Sequence, residues 1–266
     1  MDTCLTTVLV RLRASGFAST RVRLIYKPMV NPKKKSSAAD VARAIKKLAD
    51  KKQAAILQRF FKTGPGQYGE GDRFLGIKVP VQRQVAKQFF SLPLPEIKKL
   101  ITSKYHEQRL TGLLILVDQF SKADRTRQKK IFDFYFKNIS GINNWDLVDL
   151  TAPNIVGTYL LNRPRTVLYR FARSKNLWER RIAIIATFAF IRHNQFADTI
   201  KISKILLTDR HDLIHKAVGW MLREVGKRNQ QMLKRFLNQN VPKMPRTTLR
   251  YAIEKFPQNK RKRYLI

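Results

Sequence analysis

The sequence predicts an all-α fold, a HEAT-like helical-repeat solenoid with a concave basic face, and three observations predict it. Apolar residues recur at three-to-four spacing from Ala38 onward. No alternating stretch is long enough to demand a sheet; FLGIKV at 74–79 is the tempting strand, and one strand makes no sheet. Helix-like segments also recur at a near-constant period: EQRLTGLLIL from Glu107, NNWDLVDLTA from Asn143, ERRIAIIATF from Glu179 and IHKAVGWMLR from Ile214, offset by 36, 36 and 35 residues. Helix pairs of this length stack because no single pair buries its own apolar face.

Taken in order, AADVARAIKKLADKKQAAILQRFF carries Val41, Ala44, Ile45, Leu48, Ile56, Leu57 and Phe60 on a helical stripe. That stripe stops at Gly64, Pro65, Gly66, Gly69 and Gly71. One helix is expected after Pro80 and another from Pro95, and RQKKIFDFYFKN reads as amphipathic with a basic face. The expected organisation is a basic arm at 1–37, disordered or targeting, a repeat domain at 38–256 and a basic tail at 257–266.

Charge bounds the function. The 266 residues hold 54 Lys plus Arg against 18 Asp plus Glu, a formal charge of +36. A polyanion is therefore the leading partner, nucleic acid or an anionic membrane surface. A lone Cys4 excludes a disulfide framework and a cysteine-built zinc or iron–sulfur site. No run of 18 apolar residues is present, so no membrane span is expected. A cytoplasmic, nucleoid-associated bacterial protein is the expected setting, with organelle targeting by the arm as the alternative.

In the repeat register the seventh residues are Leu113, Asp149, Ile185 and Trp220, which sets a carboxylate where neighbours place leucine and isoleucine. Trp145, four residues earlier, shares its helix face. Asp149 is either a site residue or a structural carboxylate paired with a buried arginine. Asp146, on another face, reads as a solvent-facing or capping acid. Trp145 and Trp220 are core residues or aromatic walls for a sugar or base. Arg180 and Arg181 point about 100° apart on a helix, so one should reach the inner face; Lys216 and Arg223 border Trp220. These four are the candidate DNA contacts, or ordinary charges paired with Glu179 or Glu224. His211 and His215 stand at i,i+4 without an acid–His motif to complete a zinc site, and GPGQYGEG lacks the Lys-Ser/Thr ending of a phosphate loop.

The segments NNWDLVDLTAP, LWERRIAIIATFAF, HKAVGWMLREVGKR and MPRTTLRYAIEKF, with GPGQYGEGDRFLGIKVP, resemble the DNA alkylation repair proteins of the AlkD-like alkylpurine DNA glycosylase family. The resemblance covers about Ala38 to Phe256. It implies a monomeric HEAT-like superhelix around double-stranded DNA that hydrolyses the N-glycosidic bond of cationic N3- or N7-alkylated purines without metal or cofactor. It implies Asp149 as the catalytic carboxylate, stabilising an oxocarbenium-like deoxyribose, Trp145 and Trp220 against that sugar, and Arg181 on DNA. The connection from Gly64 to Gly76 is longer than the family pattern, and the arm lies outside it. A catalytically silent DNA binder, and a protein scaffold or RNA binder, are the alternatives.

Overall fold

Capping chemistry decides where the first helices begin. Ser37 accepts from the Asp40 N–H while the Asp40 carboxylate receives the Ser37 N–H, a reciprocal box that opens α1 (Ala38–Lys46). The computed structural model describes residues 36–265. Cys4 and the arm, apart from Ser36 and Ser37, lie outside the described residues.

The stripe read through residue 60 is divided in two. Asp50 accepts from the Gln53 N–H and starts α2 (Lys51–Phe60), while its own N–H donates to the Leu75 carbonyl. A short acid satisfies a helix start better than a helix interior, so the pattern breaks there. α2 buries no residue fully; Ile56 and Phe60 are about half exposed and do not join the core. α3 (Val79–Gln88) and α4 (Leu94–Ile101) carry Pro80 and Pro95 in their first turns, where a missing N–H costs nothing.

Then follow α5 (His106–Ser121), α6 (Arg125–Lys137), α7 (Trp145–Thr151), a π turn at Ala152–Gly157, α8 (Thr158–Leu160) and α9 (Thr166–Phe171). The chain ends with α10 (Leu177–Arg192), α11 (Ala197–Leu206), α12 (Asp212–Arg228), α13 (Gln230–Asn240), α14 (Arg246–Ala252) and α15 (Gln258–Leu265), so the basic tail is helical. Among the described residues no strand forms; the FLGIKV region contributes a single bridge, Arg73 to Tyr105, at its edge.

α5, α7, α10, α12 and α14 pack each against the next, with α6, α11 and α13 behind them: a stacked helical-repeat solenoid. α5 and α10 are buried almost all round, which explains their unbroken runs LLIL and IAIIA.

A recurring hydrogen bond marks the repeat. Arg109 donates to the Ser103 carbonyl, Arg180 to Ser174 and His215 to Asp209, each six residues back and each closing the turn before an inner helix. By that mark Arg109 matches Arg180, one residue off the register drawn from the apolar pattern. Leu113 and Ile185 are fully buried while Asp149 and Trp220 are not. The carboxylate therefore does not replace a core side chain; it borders the core.

Candidate functional site

α7 is short because its sequence ends it twice over. At its start the Asn144 side chain accepts from the Trp145 N–H. At its end Pro153 has no N–H for the Asp149 carbonyl four residues back, and its ring crowds that oxygen. The backbone widens there into the π turn. The helix thus bulges directly after Asp149, on the stretch packed against α10.

Across that contact Arg181 of α10 meets Asp149 as a fork. Its Nε donates to one carboxylate oxygen at 2.9 Å and an Nη to the other at 2.8 Å. The second Nη donates to the Leu213 carbonyl at 2.5 Å, tying the pair to the start of α12. Burial pushes the Asp149 carboxyl above the usual carboxylate range, and the Arg181 guanidinium opposes that rise. The arginine side chain is 5% exposed and the aspartate 18%, so the carboxylate is the end of the pair nearer solvent.

Aromatic side chains stand on the same helices as this pair. Phe61 stacks on Trp145, with ring centres 5.2 Å apart and planes 13° from parallel, and Phe60 meets it edge-on at 6.0 Å. Trp145 therefore has one face committed to protein. Tyr68, from the glycine-rich loop, sets its ring edge-on to Trp178 at 6.4 Å, and burial pushes its phenol pKa up. Trp220 packs beside Phe188 of α10 at 5.8 Å, one turn along α12 from Lys216.

Behind Trp145 lies a buried network. His106 bridges two carboxylates, Nε2 to Asp146 at 2.8 Å and Nδ1 to Asp72 at 3.1 Å. Arg109 and Asn144 both donate to Asp72, at 2.6 and 3.0 Å. Desolvation alone would lower the His106 pKa, but the Asp146 and Asp72 carboxylates more than offset it and raise it to about 9. Asp146 does cap locally, accepting from the Leu147 N–H, yet its second oxygen holds His106 and its side chain is 15% exposed. Beside it the buried Glu107 accepts from the consecutive N–H groups of Leu75, Gly76 and Ile77.

The four arginines and lysines expected on DNA are each tied to a carboxylate here. Arg181 holds Asp149; Arg180 donates to Asp209 at 2.6 Å and folds back on Ser174 and Lys175; Arg223 pairs with Glu254. Lys216 meets Asp212 at 2.6 Å and at 43% exposed is the most open of the four. Arg181 is the inner member of its pair and Arg180 the more exposed, as helix geometry requires, but their partners are Asp149 and Asp209 rather than glutamates. Buried and with its guanidinium engaged, Arg181 is a partner of the carboxylate in this structure and presents no fork outward. His211 accepts from the Leu213 N–H and His215 meets the Asp209 carbonyl, so both close the turn before α12.

Sequence reasoning missed Tyr68, Trp178 and the His106 network. Tyr68 and Trp178 were both visible as aromatics beside motifs. The ring of Asp72, His106, Arg109, Asn144 and Asp146 spans 72 to 146, and no local spacing encodes such contacts.

A family model described as DNA alkylation repair enzyme matches residues 41–256. A solved structure described as "Predicted DNA alkylation repair enzyme from Enterococcus faecalis" superposes with a TM-score of 0.64 at 18% identity, covering 79% of this chain and 97% of that one. This likeness establishes a shared fold. No curated protein shows a significant match.

Proposed function

Because the chain belongs to the DNA alkylation repair enzyme family, we propose that it is a DNA glycosylase acting on cationic N3- or N7-alkylated purines in double-stranded DNA. The observation that carries this reading is the Asp149–Arg181 fork, which orients a carboxylate 18% exposed, one helical turn from Trp145.

The chemistry asks little beyond that. The alkylated base already bears a positive charge, so it leaves with the bonding electron pair as a neutral purine. Positive charge then develops on the deoxyribose, and water adds at the anomeric carbon and loses a proton, leaving an abasic sugar. An ionised carboxylate beside the sugar lowers the energy of that charged state and accepts a hydrogen bond from the incoming water. Aromatic faces add their quadrupoles. The +36 charge supplies phosphate attraction along the duplex. A single solenoid of this kind needs no second subunit to follow a duplex.

The test is base release from a duplex containing N7-methylguanine at saturating protein, with Asp149→Asn as the comparison. Loss of release by about a hundredfold or more with duplex binding retained supports the carboxylate's role. Equal loss of binding and release sinks it. Tight duplex binding with no release by the unmodified protein leaves the second reading, a non-catalytic binder of damaged DNA.

A further inference from the structure

α7 holds seven residues, too few for a helix to keep its place unaided, so the side chains it offers stand where its ends are tied. Its far end is tied by the Asp149–Arg181 fork. Its near end is tied on both sides of Trp145. Asn144 accepts from the Trp145 N–H and donates to Asp72, and Asp146 meets His106. His106, the first residue of α5, joins these two ties, because its other ring nitrogen reaches the same Asp72.

We propose that His106 is a positioning residue for base release: as an imidazolium bridging Asp72 and Asp146 it holds the first turn of α7, and so sets where Trp145 and the Asp149 carboxylate stand. The reaction rests on the glycosylase reading above, whereas the bridge rests on geometry.

That geometry requires the charge. Each ring nitrogen lies within hydrogen-bond distance of a carboxylate, 2.8 Å to Asp146 and 3.1 Å to Asp72, and an ionised carboxylate only accepts. Burial would raise the Asp72 carboxyl, but His106, Arg109 and Asn144 hold it below its ordinary range. A neutral imidazole has one N–H, so one of its two contacts would set a lone pair against a carboxylate oxygen. Losing the proton therefore slackens the bridge, whichever nitrogen keeps its hydrogen. The charged groups that meet the ring are Asp72 from the connection between α2 and α3, Arg109 on α5 itself and Asp146 on α7. Phe61 and Phe74 cover its faces, with ring centres 5.0 and 4.6 Å away. Desolvation opposes the imidazolium and the carboxylates outweigh it, so the ring keeps its second proton up to about pH 9.

The experiment measures base release from the N7-methylguanine duplex at saturating protein, well below each melting temperature, from pH 6.5 to beyond 9. At pH 6.5 His106→Gln should release about tenfold more slowly than the parent, with duplex binding retained. That ratio should close as the parent's own bridge loses its proton near pH 9, and any effect of alkali on the substrate cancels in it. Asp146→Asn still offers His106 an acceptor but removes one of the two charges, so its release should begin to fall at lower pH than the parent's. A merely structural histidine would lower the melting temperature and leave the ratio constant across pH, and that result overturns the positioning. So does an Asp146→Asn profile that falls where the parent's does. If the unmodified protein releases no base, the glycosylase reading falls and the bridge is decided without turnover. With 5-fluorotryptophan at the three tryptophans, the fluorine resonance absent from Trp145→Phe should titrate near pH 9 in the parent and stay fixed in His106→Gln. A parent resonance flat through that range overturns the bridge.

Discussion

His106 makes a quantitative prediction about stability and pH. It is 2% exposed, sits between the Asp72 and Asp146 carboxylates, and is raised from 6.5 to about 9 on folding. A histidine whose folded pKa exceeds its unfolded value contributes stability that is fully present below the unfolded pKa and is lost as pH rises through the folded one. The window is therefore pH 6.5 to 9, and the shift corresponds to about 3 kcal/mol at its low-pH end. Net charge confounds a single titration, because a chain at +36 also loses self-repulsion as lysines begin to neutralise. Comparison with His106→Gln removes that common effect. Denaturant unfolding at half-unit steps from pH 6 to 9.5 should show the parent's advantage shrinking by about 3 kcal/mol across the window. A difference that stays constant over those steps would refute the assignment of a charged histidine to this ring.

Arg181→Met should leave Asp149 without its counter-charge, lowering stability by about 3 kcal/mol in denaturant unfolding. Burial already pushes that carboxyl up, so the acidic limb of the base-release profile should also move to higher pH. Gly69→Ala puts a Cβ into the Phe61 carbonyl, and proteolysis should then cut the 62–72 loop faster while the inner helices keep their circular dichroism. Glu107→Gln replaces an oxygen that the Leu75, Gly76 and Ile77 N–H groups share with an amide N–H that opposes them; thermal unfolding should record a loss of about 2 kcal/mol.

What the sequence made legible was whatever repeats or punctuates. The inner helices announced themselves through unbroken apolar runs, and Pro80 and Pro95 marked the starts of α3 and α4. The break at Asp50 was hidden because an apolar stripe continued through it; its cap reaches only to Gln53, but the bond of its N–H to the Leu75 carbonyl spans 25 residues. Trp145 and Asp149 were readable as one face because four residues make a turn. A buried arginine was readable as one partner for Asp149, and the inner face as a choice between Arg180 and Arg181; that Arg181 meets Asp149 turned on α7 and α10 packing together. Asp146 misled for the same reason. Its capping bond is local, and its bond to His106 crosses 40 residues.

The fork gives so basic a chain a reason, under the proposed function, to keep Asp149 at this place. In the proposed reaction a carboxylate alone in a desolvated site would take up a proton, and a neutral acid stabilises no cation. Pairing with Arg181 opposes that uptake, and the carboxylate shares its field with the guanidinium. Taking an effective dielectric of about 20, a sugar cation about 4 Å from the carboxylate gains about 4 kcal/mol, and a guanidinium about 8 Å away takes back about 2. The remainder, about 2 kcal/mol or a factor of about 30, exists only because the arginine lies behind the carboxylate. The exposures, 5% for Arg181 and 18% for Asp149, give that order, and the Leu213 carbonyl fixes it by holding the guanidinium from the far side. So modest a gain suits a substrate whose leaving group is already cationic. It would be too little for an unmodified purine, whose departure needs a proton delivered to the base, and selectivity for alkylated bases then follows from how little the site does.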